Sequence, residues 1–330
     1  MRVSIIIPIY NVASYIERCL QSVVSQTYNN IECILVDDCG TDDSICIAQN
    51  FINQYDGNIS FTIISHQENQ GLAAARNTGI KNATGDYLYF LDSDDAITPD
   101  CINTLIELFK KHPDIDFAQG NFLNKNHERS QYSFSQDIPT YVNTRSDIEN
   151  LMLCQIVTSA CNRLISRSFI MNNQLFFPIG LLHEDLYWIY YTAKHTRAAA
   201  FISKGLYIYY QNEDSIVTST SNKTKIKRYQ SRLTGAFDYL KDMLDNGSSI
   251  YQRQFFAVNL LCCLVELSSI KSIYHWGTFW LSICKISIKL YRKITWKRIL
   301  FFLCLMPPLC FFSGTKTLRW RIQHRLLSQI

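Results

Sequence analysis

The chain lacks any apolar run long enough to cross a bilayer near its end. Residues Ile299–Phe312 are only fourteen, and Pro307-Pro308 interrupts them. A spanning helix needs ~20 continuous apolar residues, so this run is expected to lie in an interface or a core. No Cys-x-x-Cys pair occurs among the twelve cysteines. Most of these thiols sit inside apolar stretches, which reads as small core hydrophobes in a reducing compartment rather than metal ligands or disulfide partners. Neither a nucleophile elbow nor a phosphate-binding P-loop is visible, which argues against hydrolase and kinase chemistry. No signal peptide is read at the start, where Met1-Arg2 leads directly into the strand-like Val3-Ser4-Ile5-Ile6-Ile7 and a Pro8 stop. Acidic residues are almost missing from residues 250–330, which hold twelve Lys/Arg against the single Glu266, a net +11. Residues 1–249 carry twenty against twenty-seven, a net −7. A slightly acidic body and a basic tail point to two jobs in two places.

What the chain does have is enough apolar material for a full core: 330 residues, 47% hydrophobic and 18% charged, a length that suits about two structural units. Strand signals fall at Val3–Ile7, Ile31–Asp37, Ile59–Ser65 and Asp86–Asp92. Between them lie helix-spaced stretches: Ile16, Leu20, Val23 and Thr27; then Ile45, Ala48, Ile52 and Tyr55; then the alanine-rich Gly71–Ala83. Strand–helix alternation with short links predicts an α/β fold, a Rossmann-like and mostly parallel sheet with helices on both faces. Ligands in such sheets bind beyond the carboxyl ends of the strands.

Three of those ends carry polar residues: Pro8-Ile9-Tyr10-Asn11, Asp37-Asp38 and Asp92-Ser93-Asp94-Asp95. Carboxylates gathered at a strand end are costly unless a cation or ligand compensates them. Hard oxygen ligands at this spacing suit Mg²⁺ or Mn²⁺ on a phosphate group. An Asp-rich turn capping the helix that starts near Thr98–Pro99 is the plainer reading of the same residues. A second constellation, His183-Glu184-Asp185, precedes an aromatic helix from Leu186. Carboxylates there are held by free amide groups and the helix dipole, which is expected to lower their basicity slightly and to fix their position.

Taken in order, Val3-Ser4-Ile5-Ile6-Ile7-Pro8-Ile9-Tyr10-Asn11, Leu35-Val36-Asp37-Asp38, Asn69-Gln70-Gly71-Leu72-Ala73-Ala74-Ala75-Arg76-Asn77, Asp92-Ser93-Asp94 and His183-Glu184-Asp185-Leu186-Tyr187-Trp188 resemble the inverting family 2 glycosyltransferases, which have the GT-A fold. The resemblance covers residues 1–220 as a nucleotide-sugar-binding and catalytic domain and leaves 221–330 as a helical, basic region. It implies that Pro8, Tyr10 and Asp38 line a base pocket, Asp38 accepting from a uracil-type N–H, with Asn69 and Arg76 near the base or phosphates. It further implies that Asp92 holds the ribose, that Asp94, with Asp92 and Ser93 beside it, carries Mn²⁺ or Mg²⁺, and that Asp185 is the general base supported by Glu184. The family's small pair after the second aspartate is here Cys39-Gly40, Asn162-Arg163-Leu164 stands where relatives often carry Lys, and Gln211 stands where a basic residue is common.

The implied reaction is a single inverting displacement from a UDP-sugar. Residues 222–246 read as a polar amphipathic helix and 255–265 as an apolar one, while 279–293 and 319–326 alternate basic and apolar residues. Such a tail suits an anionic membrane surface, each Lys/Arg being worth about 1 kcal/mol there; a helical cap is the alternative, and no nucleic-acid partner is expected. The expected acceptor is therefore a polyprenyl-diphosphate-linked sugar, met peripherally at the cytoplasmic face of a bacterial inner membrane during O-antigen or capsule assembly. The specific expectation is β-1,3-glucosyl transfer from UDP-glucose, with galactosyl or N-acetylhexosaminyl transfer as the near alternatives and an inactive membrane-bound scaffold as the alternative of a different class.

Overall fold

The computed structural model of the chain describes residues 1–211 and 221–270. The basic amphipathic stretches after residue 271 and most of the Tyr209–Ile216 segment lie outside the described residues. The chain divides into two compact units, Met1–Ser215 with Met243–Phe255, and Ile216–Asp242 with Phe256–Ile330.

The first unit is built on β1 (Val3–Ile9), β2 (Ile31–Asp37), β3 (Ser60–Ser65) and β4 (Tyr87–Phe90), which pair in parallel in the spatial order β3-β2-β1-β4. Their crossovers are α1 (Ile16–Val24), α2 (Ser44–Gln54) and α3 (Leu72–Asn82). All seven residues of β1 are buried, the expected outcome for an apolar run covered on both faces. Helix α1 buries Ile16, Cys19, Leu20 and Val23, a single stripe at helical spacing. Helix α3 lies so close to β1 that a Cβ on Gly79 would stand 2.3 Å from Ile6 Cγ2. Only glycine permits that approach.

Pro8 does not end β1, contrary to the sequence expectation. The Leu91 amide donates to Ile6 O at 3.1 Å, so Pro8, two residues on, faces the same side, past the end of β4 at Phe90. Its missing N–H therefore costs no ladder bond, and the strand runs on to Ile9.

The second half of the sheet is mixed. After β5 (Ala96–Ile97) and α4 (Cys101–Lys111) come β6 (Phe117–Leu123), β7 (Tyr141–Val142), α5 (Arg145–Asn150), a π-helical turn at Leu151–Gln155, β8 (Arg163–Ser166), α6 (Arg167–Asn172), α7 (Glu184–His195) and β9 (Ala199–Ile208). Strand β8 slots antiparallel between β4 and β6, and β9 runs parallel to β6, giving β3-β2-β1-β4-β8-β6-β9-β5 with β7 on β9. Parallel order is thus confined to the first four strands and the β6–β9 pair.

Helices α8 (Asn222–Asn246) and α9 (Ile250–Ile270) follow. Within the second unit, Arg228 pairs with Glu266 at 3.4 Å and Arg232 Nη1 donates to Asn259 Oδ1 at 3.4 Å, tying the two helices together. Among the described residues no helix is long and apolar enough to cross a membrane.

Candidate functional site

The carboxyl ends of β1 and β2 make one rim. Tyr10 is 48% exposed there, and Asn11 turns the chain with a left-handed φ of 52°. Asn11 Oδ1 accepts from the Thr41 amide at 2.7 Å, which brings the turn after β2 against the turn after β1. Cys39 in that turn has φ 59°, a conformation that suits glycine and strains a thiol-bearing residue.

Asp38 is bonded to its own chain. Its Oδ1 receives the Gln70 amide at 2.9 Å and His66 Nδ1 at 2.7 Å, while Oδ2 receives the Gly71 amide at 2.7 Å. Three of about four acceptor sites are thereby taken by the chain itself, at a residue only 3% exposed. Asp38 fixes the loop entering α3, whose first residue follows Gly71 at φ 89°. The exposed Asn69 donates to Asp38 O at 3.3 Å, so these two residues do meet. Pro8 is buried in β1 and shapes the rim only by delivering Tyr10.

Arg76 is the pivot of the second group and is turned away from solvent. It is 3% exposed; Nη2 donates to Asp92 Oδ1 at 2.7 Å and Nη1 to Glu184 Oε1 at 2.6 Å. Helix α3 buries the residue between these two acids, which take both of its terminal nitrogens. Burial opposes the guanidinium's charge, yet the Asp92 and Glu184 carboxylates together raise its pKa above the ordinary arginine value. One cation therefore binds the end of β4 to the start of α7.

Asp185 follows Glu184 in the first turn of α7, after His183 at φ 59°. Burial first, and the Glu184 charge second, push its carboxyl up to about 7; Arg76 and the Leu186 amide oppose them. The expected lowering by the helix terminus is reversed. A dipole contribution of about 0.3–1 kcal/mol is too small to offset desolvation beside a like charge. A carboxylate poised near neutrality is suited to taking a proton from an alcohol.

The aspartates after β4 divide in two. Asp95 turns inward, 2% exposed, accepting from Tyr207 Oη at 2.7 Å and the Tyr210 amide at 2.8 Å. Burial, then the charges of Asp94 and Asp92, raise its pKa well above the carboxylate range. It anchors the end of β9 and is no ligand-facing group, although its sequence position alone groups it with its neighbours. Ser93 is also buried, at 7% exposed. Asp94 is partly exposed, and its carbonyl accepts from Arg18 Nη2 at 2.5 Å. The Arg18 guanidinium lies 3.6 Å from the centre of the Tyr210 ring.

Among the described residues no three His, Cys, Asp or Glu side chains are grouped to hold a metal ion. What remains is Asp94 with the 34%-exposed Asp92 side chain, a one-or-two-carboxylate donor set. That set fits Mg²⁺ or Mn²⁺, ions that keep waters and substrate phosphate oxygens as their other ligands.

Sequence reasoning missed Arg18 and Cys161, and noted Arg163 only as a departure from the residue common in relatives. Cys161 Sγ lies 3.9 Å from Arg76 Nη2, and Asn162 beside it has φ 60°. The detectable signal was a basic residue, Arg163, opening an otherwise apolar strand.

Residues 4–173 match the family model described as Glycosyl transferase family 2. Glycosyltransferase GlyA of Streptococcus pneumoniae is 35% identical over 217 residues, which is 63% of this chain and 30% of GlyA, so the chain spans under a third of that relative's length. The solved structure of Staphylococcus aureus TarS with UDP-GlcNAc superposes with a TM-score of 0.72 at 18% identity, covering 94% of this chain and 89% of that one. The mannosyltransferase PcManGT from Pyrobaculum calidifontis, solved with GDP-Man and Mn²⁺, superposes with a TM-score of 0.54 at 15% identity over 95% of this chain and 88% of its own. With the family model matching half of the sequence and the fold shared with such neighbours, the chain belongs to glycosyl transferase family 2 and has the GT-A fold.

Proposed function

We propose that residues 1–220 form an inverting hexosyltransferase using a UDP-sugar. Its acceptor is a polyprenyl-diphosphate-linked oligosaccharide, met at the cytoplasmic face of a bacterial membrane during polysaccharide assembly. The observation that carries this reading is the Arg76 clamp, which sets Glu184 and its neighbour Asp185 beside the Asp92-Ser93-Asp94 turn. TarS with UDP-GlcNAc and PcManGT with GDP-Man and Mn²⁺ support a nucleotide-sugar donor and a divalent cation on the same fold.

Tyr10 and Asn69 flank the nucleotide base, on a rim that Asp38 and Asn11 hold in shape. Asp92, oriented by Arg76, takes the ribose. Asp94, with Asp92, holds Mn²⁺ or Mg²⁺, whose chemistry is to neutralise charge on the departing diphosphate. Asp185 accepts the proton of the acceptor hydroxyl as it attacks the anomeric carbon. A carboxyl near 7 is ionised in about half of the molecules at neutral pH and remains basic enough for this step. A single displacement turns an α-linked donor into a β-linked product. Glucose from UDP-glucose in a β-1,3 linkage is the specific assignment, with galactose or an N-acetylhexosamine next.

The test is UDP or GDP release from UDP-glucose, UDP-galactose, UDP-N-acetylglucosamine and GDP-mannose, with and without Mn²⁺, and proton NMR of any transferred sugar. The reading requires preference for a UDP-sugar, dependence on Mn²⁺ and a β product. Release unaffected by Asp94→Asn, or an α product from an α donor, would overturn it.

A further inference from the structure

Helix α1 reaches the turn after β4 through two neighbouring side chains. Arg18 Nη2 donates to Asp94 O at 2.5 Å, and Cys19 Sγ lies 3.8 Å from Asp92 O. The end of β9 holds the same turn as well. Tyr207 Oη accepts from the Asp92 amide at 3.3 Å and donates to Asp95 Oδ2 at 2.7 Å, and the Tyr210 amide donates to Asp95 Oδ1 at 2.8 Å. Arg18 joins the two supports, because its guanidinium also lies 3.6 Å from the centre of the Tyr210 ring. The contacts therefore close a circuit: Arg18 to Asp94, along the chain to Asp95, from there to Tyr210, and from its ring back to Arg18.

Arg18 is not bonded as an arginine kept for stability alone would be. Among the described residues it has no carboxylate partner; it donates to the Asp94 carbonyl, and its Nε is buried without an acceptor. A buried donor left unpaired costs free energy and calls for a reason. The reason lies in the shape of the guanidinium, whose edge can donate to a carbonyl while its flat face covers an aromatic ring. Three carboxylates within four residues, Asp92, Asp94 and Asp95, repel one another, so the turn keeps one geometry only with support from outside.

We propose that Arg18 is a positioning residue for this turn: gripping the Asp94 carbonyl while stacked on Tyr210, it sets the peptide from which the Asp94 carboxylate is presented to Mn²⁺ or Mg²⁺ on the donor diphosphate. The inference rests on Asp94 holding that cation. A bond to a ligand residue from a second layer of side chains fixes the ligand's orientation. Arg18 has only donors and is itself no ligand, so its loss weakens the hold on the cation without removing a coordinating atom.

The test compares binding with and without the ion, on the full chain. Mn²⁺ binding in the presence of UDP is read from the electron paramagnetic resonance signal of the free ion, and UDP binding is measured calorimetrically in Mn²⁺ and in EDTA. Loss of a second-layer partner costs about 10–100-fold in metal affinity, so Arg18→Met should bind Mn²⁺ that much more weakly while its UDP affinity in EDTA matches wild type. Arg18→Lys keeps a charged donor without the flat face and should lie between the two. Tyr210→Leu removes the ring but keeps the amide for Asp95, and should also weaken Mn²⁺ binding. Both substitutions break one chain of contacts, so the double variant should bind Mn²⁺ about as Arg18→Met does.

Wild-type Mn²⁺ affinity in Arg18→Met, an equal loss of UDP affinity in Mn²⁺ and in EDTA, an Arg18→Lys no better than Arg18→Met, or losses that multiply in the double variant overturn the proposal. Should Arg18→Met fail to fold, Tyr210→Leu carries the test, and wild-type Mn²⁺ affinity in that variant overturns the proposal equally. Asp94→Asn separates the two levels of failure. If it binds Mn²⁺ with UDP like wild type, the cation assignment is wrong; if it loses Mn²⁺ while Arg18→Met does not, only the role of Arg18 is wrong.

Discussion

Replacing Arg76 by Met removes both hydrogen bonds of the clamp and leaves Glu184, 7% exposed, as a buried unpaired carboxylate. Breaking a buried ion pair from one side costs about 3–5 kcal/mol. Asp92 suffers less, because its side chain is 34% exposed and water can replace the guanidinium. At roughly 2–4 °C per kcal/mol for a domain of 150–250 residues, Arg76→Met should melt about 6–20 °C below wild type. Glu184→Gln alone loses one charge-assisted bond and should cost about 1.5–3 kcal/mol. The double variant Arg76→Met, Glu184→Gln removes the stranded charge, so it should be more stable than the sum of the single losses by about 1.5–3 kcal/mol. Urea titration of the four proteins at one pH measures that coupling directly. Additivity within about 0.5 kcal/mol, or an Arg76→Met protein that melts like wild type, would refute the clamp.

Two further predictions concern strain and protons. Cys39→Gly relieves a left-handed residue at φ 59° and should stabilise the protein by about 0.5–1 kcal/mol, read as a rise of a few degrees in melting temperature. Asp185 is raised to about 7 in the folded protein from an ordinary value of about 4. Its contribution to stability is therefore fully present below about pH 4 and is lost as pH rises through about 7. Thermal unfolding from pH 4.5 to 8 should show that decline in wild type and a shallower one in Asp185→Asn.

The first half of the fold was legible because its signals are local. Val3–Ile9 and Ile31–Asp37 are mostly apolar runs, and Ile16, Leu20 and Val23 repeat at helical spacing, so strands and crossovers could be read from nearby residues. The second half resisted. Strands β5 and β7 are two residues each, β8 is four, and their places are set by partners far away in sequence. The site shows the same division. Motif order marked Asp92, Asp94, Glu184 and Asp185, but no pattern of letters says which carboxylate turns inward. Asp95 is held by Tyr207 and Tyr210, more than a hundred residues away, and Arg76 finds Glu184 across a similar distance. Direction of a pKa shift is likewise a matter of burial, which is why Asp185 rises although it stands at a helix amino terminus.

The central claim is that Asp185 acts on the chemistry and not on the donor. Calorimetric binding of UDP with Mn²⁺ to wild type and Asp185→Asn, paired with UDP-sugar turnover by both, tests it most directly. The account predicts nearly equal UDP affinity and a turnover reduced about 10²–10⁴-fold in the variant, the range expected for losing a positioned general base. Unchanged turnover, or a loss explained entirely by weaker UDP binding, would contradict it.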